Sequence, residues 1–142
     1  MVASKSKARK PTPLPGQPVR GSTSGRPVMA LLDLLGRRWA LRVLWELRDG
    51  GGLTFRELQA RCAEVSSSVL NDRLRELREA GIVHAGGRGT GYSLTANGRD
   101  LIDALHPLDA WAKRWARRTS AKDRTGPGTV RLPPPRRSSS VG

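Results

Sequence analysis

The side chains best placed for chemistry in this sequence are hydrogen-bonding groups and cations, not nucleophiles or paired acids. Ser66, Ser67, Ser68 and Asn71 open a segment whose apolar residues, Val69, Leu70, Leu74 and Leu77, recur at helical spacing. Asp72 and Arg75 share the side opposite that stripe. Short hydroxyls and a bidentate amide near the N-terminal end of an exposed helix match the base-pair edges of a major groove. Ser66 reads as the N-cap, and the helix dipole favours a phosphate beside it. Arg88, set among glycines over residues 86–91, suits the tip of a turn that reaches along or into an adjacent minor groove. Arg37 and Arg38 stand in the opening turn of a predicted helix, where the dipole disfavours cations unless an external phosphate faces them. Plainer roles compete at every position. Ser66 can be a cap and no more, Ser67, Ser68 and Asn71 solvent-facing residues, and Arg88 a solvated turn residue. Asp72 and Arg75 can belong to ion pairs one turn apart, and Arg73 can lay its stem on the domain surface.

Other chemistries lack their parts. No carboxylates are placed to converge, no nucleophile, histidine and acid are arranged together, and the glycines near residue 88 lack the strand-then-helix setting of a dinucleotide loop. The expectation is a protein that is not an enzyme and needs no cofactor. Cys62 has no partner for an internal disulfide, cannot complete a zinc site with His84 and His106, and reads as a small buried hydrophobe. No apolar run is long enough to span a membrane and none follows the basic start, so a reduced, cytoplasmic protein is expected. The charge is pronounced: 26 lysines and arginines against 12 carboxylates, a net of +14 in 142 residues. Such a field attracts polyanions, nucleic acid first among them.

Elements able to position these residues follow from the pattern. Residues 1–26 are rich in Pro, Ser, Gly and Lys and carry no acid, and residues 119–142 include the triple proline ending at Pro135. Both read as disordered basic tails around one domain at 27–118. In that domain a helix starts near Pro27, with Val28, Leu31, Leu32 and Leu35 as its stripe, and ends at Gly36. A second helix is predicted over 37–48, burying Trp39, Val43, Leu44 and Leu47, and is stopped by glycines 50–52. Leu53 reads as a single-residue strand or an extended link, and Thr54 caps a third helix with Phe55, Leu58 and Ala60 inward. The serine-led fourth helix ends at Gly81. Two short strands joined by the glycine-rich turn follow, with Tyr92 as a core residue. Thr95 caps a last helix with Leu101, Ile102, Leu105, Leu108, Trp111, Ala112 and Trp115 inward, which Pro107 should kink or split. Trp111 and Trp115 also suit a subunit interface. The fold is mainly α with a small β wing, a winged helix-turn-helix.

At these residues the chain resembles a known family. Leu34-Leu35-Gly36-Arg37-Arg38-Trp39, Leu47-Arg48-Asp49-Gly50 and Thr54-Phe55-Arg56-Glu57-Leu58 are similar, in order, to segments of the HxlR-type, MarR-like regulators of bacteria. So are residues 66–77, Gly81-Ile82-Val83, Gly91-Tyr92-Ser93-Leu94-Thr95 with Gly98, and Leu108 with Trp111. The resemblance covers about 85 of the 142 residues without interruption. It implies a homodimer held by the first and last helices through Leu31, Leu108, Trp111 and Trp115. It also implies binding to a two-fold-symmetric operator in double-stranded DNA, with repression the simplest mode. Two departures stand out. Family members that sense electrophiles or oxidants often carry a cysteine just before the Pro-Val that opens the first helix, where this chain has Arg26. A basic residue often precedes the phenylalanine of the third helix, where this chain has Thr54; Arg56 is the candidate phosphate contact in its place. The alternatives are a nonspecific basic nucleic-acid binder and a winged-helix protein-interaction module.

Overall fold

Local signals start most of the helices. In the computed structural model, which describes residues 10–87 and 89–124 with side chains to residue 120, Thr54 accepts from the Glu57 amide (3.1 Å) while the Glu57 carboxylate accepts from the Thr54 amide (2.9 Å). This reciprocal box opens α3, Phe55–Cys62. The Ser66 hydroxyl accepts from the Val69 amide at 3.2 Å and opens α4, Ser67–Glu79. The Thr95 hydroxyl accepts from the Gly98 amide at 2.9 Å at the start of α5, Ala96–Arg124. Upstream lie α1, Pro27–Leu35, and α2, Ala40–Glu46. Between α4 and α5, β1 (Val83–Ala85) and β2 (Tyr92–Leu94) pair antiparallel, with His84 opposite Ser93, and Leu53 bridges to Tyr92 beside them. This is a winged helix-turn-helix, mainly α with a two-stranded wing. The chain divides into two units, Met1–Asp103 and Ala104–Gly142. Among the described residues no helix is long and apolar enough to cross a membrane.

The core of the first unit is built from Leu44 and Leu47, Leu58 and Cys62, and Leu70, Leu74 and Leu77, all at most 2% exposed. Ile82, Val83, Leu94 and Ile102 join it from the wing and α5. Gly98 lets α5 pass close to the wing, since a Cβ there would collide with the Ile82 carbonyl.

Several expectations are corrected. The α1 stripe of Val28, Leu31, Leu32 and Leu35 is not the buried one: Ala30 and Leu34 face the core, while Val28 and Leu32 are 59% and 56% exposed. Eight of the helix's nine residues are uncharged, with only Asp33 ionic, so spacing alone does not choose a face. The small Ala30 allows the close approach. Ala60, expected inward on α3, is exposed, and Tyr92 is only half-buried. Pro107 lies inside α5 and does not split it. Residues 10–26, read as part of a tail, have defined structure. Thr12 and Pro13 are buried, Val19 and Ser22 exchange backbone hydrogen bonds of 2.9 and 3.0 Å, and the Arg20 amide donates to Asp33 at 3.1 Å. The Thr12 hydroxyl donates to the Glu79 carboxylate on α4. This strap is held by polar anchors and by prolines, which lose little entropy on ordering, so counting large apolar groups misses it. The rest of the proposed tails, residues 1–9 and 125–142, lies outside the described residues.

The second helix starts three residues later than predicted, and Arg37 stands in the turn before it. Its guanidinium donates to Glu76 at 2.6 Å and to the Pro11 carbonyl at 2.8 Å. Glu76 is 2% exposed, and a carboxylate so far from water requires cations around it. Arg73 supplies a second, its Nε 3.1 Å from the other oxygen without hydrogen-bond alignment. With Arg37 fixed, Trp39 turns into the left-handed region (φ 72°) as the residue before α2, half-buried where a core position was expected. That conformation costs about 1–3 kcal/mol and persists where neighbours over-determine it. Glu76→Ala leaves two largely buried arginines without their shared carboxylate; we expect a loss of about 3–5 kcal/mol in urea unfolding. A loss below about 1 kcal/mol would show that both guanidinia reach water and that the cluster holds little together.

Candidate nucleic-acid interface

One face of α4 is committed to the core by Leu70, Leu74 and Leu77, so the residues between them are turned outward. Ser67, Ser68 and Asn71 are exposed, and Asp72 and Arg75 are half-buried on the flank. The N-terminal corner is fixed from α3: Gln59 donates to the Ser67 hydroxyl at 3.1 Å and to the Val65 carbonyl at 3.4 Å. Ser66 caps the helix with its hydroxyl 3.5 Å from that of Ser68. Asn71 has no side-chain partner among the described residues. Hydroxyls and a free amide are thus presented from a rigid start of a helix, a surface able to meet base edges by direct hydrogen bonds.

Arg75 is held within its own helix. It lies 3.6 Å from Asp72, 3.5 Å from Glu79 and 4.0 Å from Glu76. Both readings of Asp72 and Arg75 therefore meet here: they edge the outward face and they pair with one another. Arg78, one turn beyond Arg75 and exposed, was not singled out from the sequence, although extending the polar face by seven residues from Asn71 reaches it. Nothing in the sequence marks Gln59.

The expected phosphate contacts separate into three groups. Arg37, expected at the DNA backbone, is turned into the domain by Glu76 and Pro11, with 15% of its side chain exposed. Arg38 and Arg56 are exposed, and neither guanidinium has a partner among the described residues; the Arg38 carbonyl accepts from Arg73 at 3.4 Å. Arg88 lies outside the described residues, so the wing is defined only to Gly87 on one side and from Gly89 on the other.

The residues expected at a subunit contact are also distributed. Leu31 is half-buried and, with Pro13, Leu14 and Leu34, lines an apolar groove beneath the strap. In the second unit, Leu108, Trp111 and Trp115 are 58%, 46% and 52% exposed. The two indoles stack, with centroids 5.8 Å apart and planes at 12°. Cys62 is buried in the first unit. Desolvation pushes its thiol above the usual range, against the opposing pull of Arg42, with Glu46 adding to the rise.

Comparison with known proteins agrees with this architecture. The model of the HxlR-like helix-turn-helix family matches residues 34–120. YvaP of Bacillus subtilis (strain 168), an uncharacterised HTH-type transcriptional regulator, is 32% identical over 89 residues, 59% of this chain and 82% of that protein. Among solved structures, quinone-bound YodB from B. subtilis superposes with a TM-score of 0.56 at 30% identity, over 61% of this chain and 96% of that one. A possible HxlR family transcriptional factor from Thermoplasma volcanium GSS1 gives 0.56 at 25% identity, over 64% and 85%. The matched stretch contains both helices of the helix-turn-helix, the wing and the exposed tryptophans. The chain belongs to the HxlR-like helix-turn-helix family and is a DNA-binding transcriptional regulator.

Proposed function

We propose that the protein works as a homodimer on a two-fold-symmetric duplex operator, with α4 of each protomer in a major groove, and that its binding represses transcription. The observation that carries this reading is the outward face of α4. Ser68 and Asn71 are exposed at the N-terminal half of a helix whose other side is locked in the core. In that pose base edges meet the hydroxyl and the amide, while Arg38 and Arg56 lie among the cations available to phosphates. The wing then runs along the neighbouring minor groove. Self-association is supported by large apolar groups left in water on an otherwise charged protein: Val28 and Leu32 on α1, and Leu108, Trp111 and Trp115 on α5. A protein of this size acts most simply by occupying promoter DNA, in the bacterial cytoplasm where that DNA lies.

The net charge of +14 favours one competing reading, a nonspecific polyanion binder. Site selection from a random duplex pool separates the two. A specific regulator prefers its selected site by about 10³-fold or more over random duplex, and the sites carry two-fold symmetry. Asn71→Ala and Ser68→Ala should each weaken binding to that site by about 1–3 kcal/mol and relax the preference at the bases they meet. Unchanged selectivity in both variants would remove α4 from the groove. Trp115→Asp should give monomers in sedimentation velocity, with helix content retained and site affinity reduced; an intact dimer would take Trp115 out of the interface.

A further inference from the structure

Beside the outward face of α4 the strap, the α1–α2 turn and α4 itself enclose an open cleft of about 570 Å³. Six cations and three carboxylates line it. The three acids are already engaged. Glu76 lies between Arg37 and Arg73, Asp72 is paired with Arg75, and Asp33 accepts from the Arg20 amide. The side chains of Lys10, Arg20 and Arg38 have no acidic partner among the described residues, and all three residues are exposed. Their backbones are nonetheless placed. The residues after Lys10 are tied down by the Pro11 carbonyl on Arg37 and by Thr12 on Glu79. Arg20 lies within the turn closed by Val19 and Ser22, and the Arg38 carbonyl is held by Arg73. Three cations without an acidic partner among the described residues thus line one cleft beside α4.

We propose that Lys10, Arg20 and Arg38 form a seat for backbone phosphates of the duplex strand bordering α4, so that the strap extends the DNA footprint beyond the winged helix. This rests on the reading of α4 as the groove-entering helix. Asp72 and Arg75 belong both to the cleft wall and to the edge of the polar face, so a helix lying in a groove about 12 Å wide brings a phosphate rail to this side. A rail of repeated charges suits an open cleft lined by separate cations. Lys10 and Arg20 lie before residues 34–120 that match the family, and Arg38 lies within them.

The full chain is titrated onto its selected duplex and onto random duplex at salt concentrations from about 50 to 200 mM. Each phosphate neutralised adds about 0.9 to the slope of log affinity against log salt. The triple variant Lys10→Ala, Arg20→Ala, Arg38→Ala should therefore lose about 2–3 from that slope, weaken binding to both duplexes alike, and keep the parent's preference. A variant with Arg, Lys and Lys at the same three positions should retain the slope. Removing three exposed cations of α5, Arg114, Arg117 and Arg118, should lower it by less. An unaltered slope in the alanine variant overturns the seat, as does an equal loss in the α5 variant, which would reduce the effect to net charge. A parent chain that shows no preferred duplex overturns the α4 reading itself, and the seat falls with it.

Discussion

A carboxylate removed from water sits where the strap, the α1–α2 turn and α4 are tied together. Glu76 is 2% exposed, and guanidinia of Arg37 and Arg73 stand on either side of it. Arg37 reaches it across 39 residues of sequence and at the same time grips the strap through Pro11. Arg73 reaches it from the preceding turn and grips the α1–α2 connection through the Arg38 carbonyl. The leucines of α4 supply attraction without direction, since one leucine resembles another a turn away. The charged cluster adds directed contacts, because a buried carboxylate displaced from its cations is costly. That role for buried ionic groups holds in some proteins and not in others. Here the unusual backbone of Trp39 accompanies it (φ 72°), a local cost accepted next to the cluster.

What was legible in the sequence is what depends on near neighbours. Thr54 and Ser66 cap helices because a side-chain oxygen three residues from an orphan amide is enough, and both caps are present. The α4 stripe and the two paired strands are likewise short-range features. The misses are long-range. Arg37 looked like a phosphate ligand because its partner lies 39 positions away, and Thr12 looked like tail because Glu79 lies 67 away. The face of α1 was misjudged for a different reason: a helix apolar nearly all round carries no periodic message, and neighbours decide which side is covered. Arg78 could have been found by carrying the polar face of α4 one turn further; Gln59 could not.

The family match and the strap divide the chain's properties between them. Residues 34–120 carry the helix-turn-helix and the wing, and the relatives named above account for that architecture. The strap precedes this stretch and is built differently, from buried Thr12 and Pro13 and backbone hydrogen bonds, with little apolar surface. Its attachments all lead to α1, the α1–α2 turn or α4. The strap is therefore joined directly to the helix that faces outward, although the two are far apart in sequence.

The ladder around Arg75 has a consequence for binding in general. Asp72 and Glu79 stand within 3.6 Å of its guanidinium and act as built-in counter-anions. A polyanion that meets Arg75 must displace carboxylates instead of mobile salt, so the encounter frees fewer ions into solution than a bare arginine would. Formal charge thus overstates the grip of α4 on arbitrary polyanions. The neutral amide and hydroxyls of the same face carry no such handicap, and discrimination shifts toward partners that satisfy them.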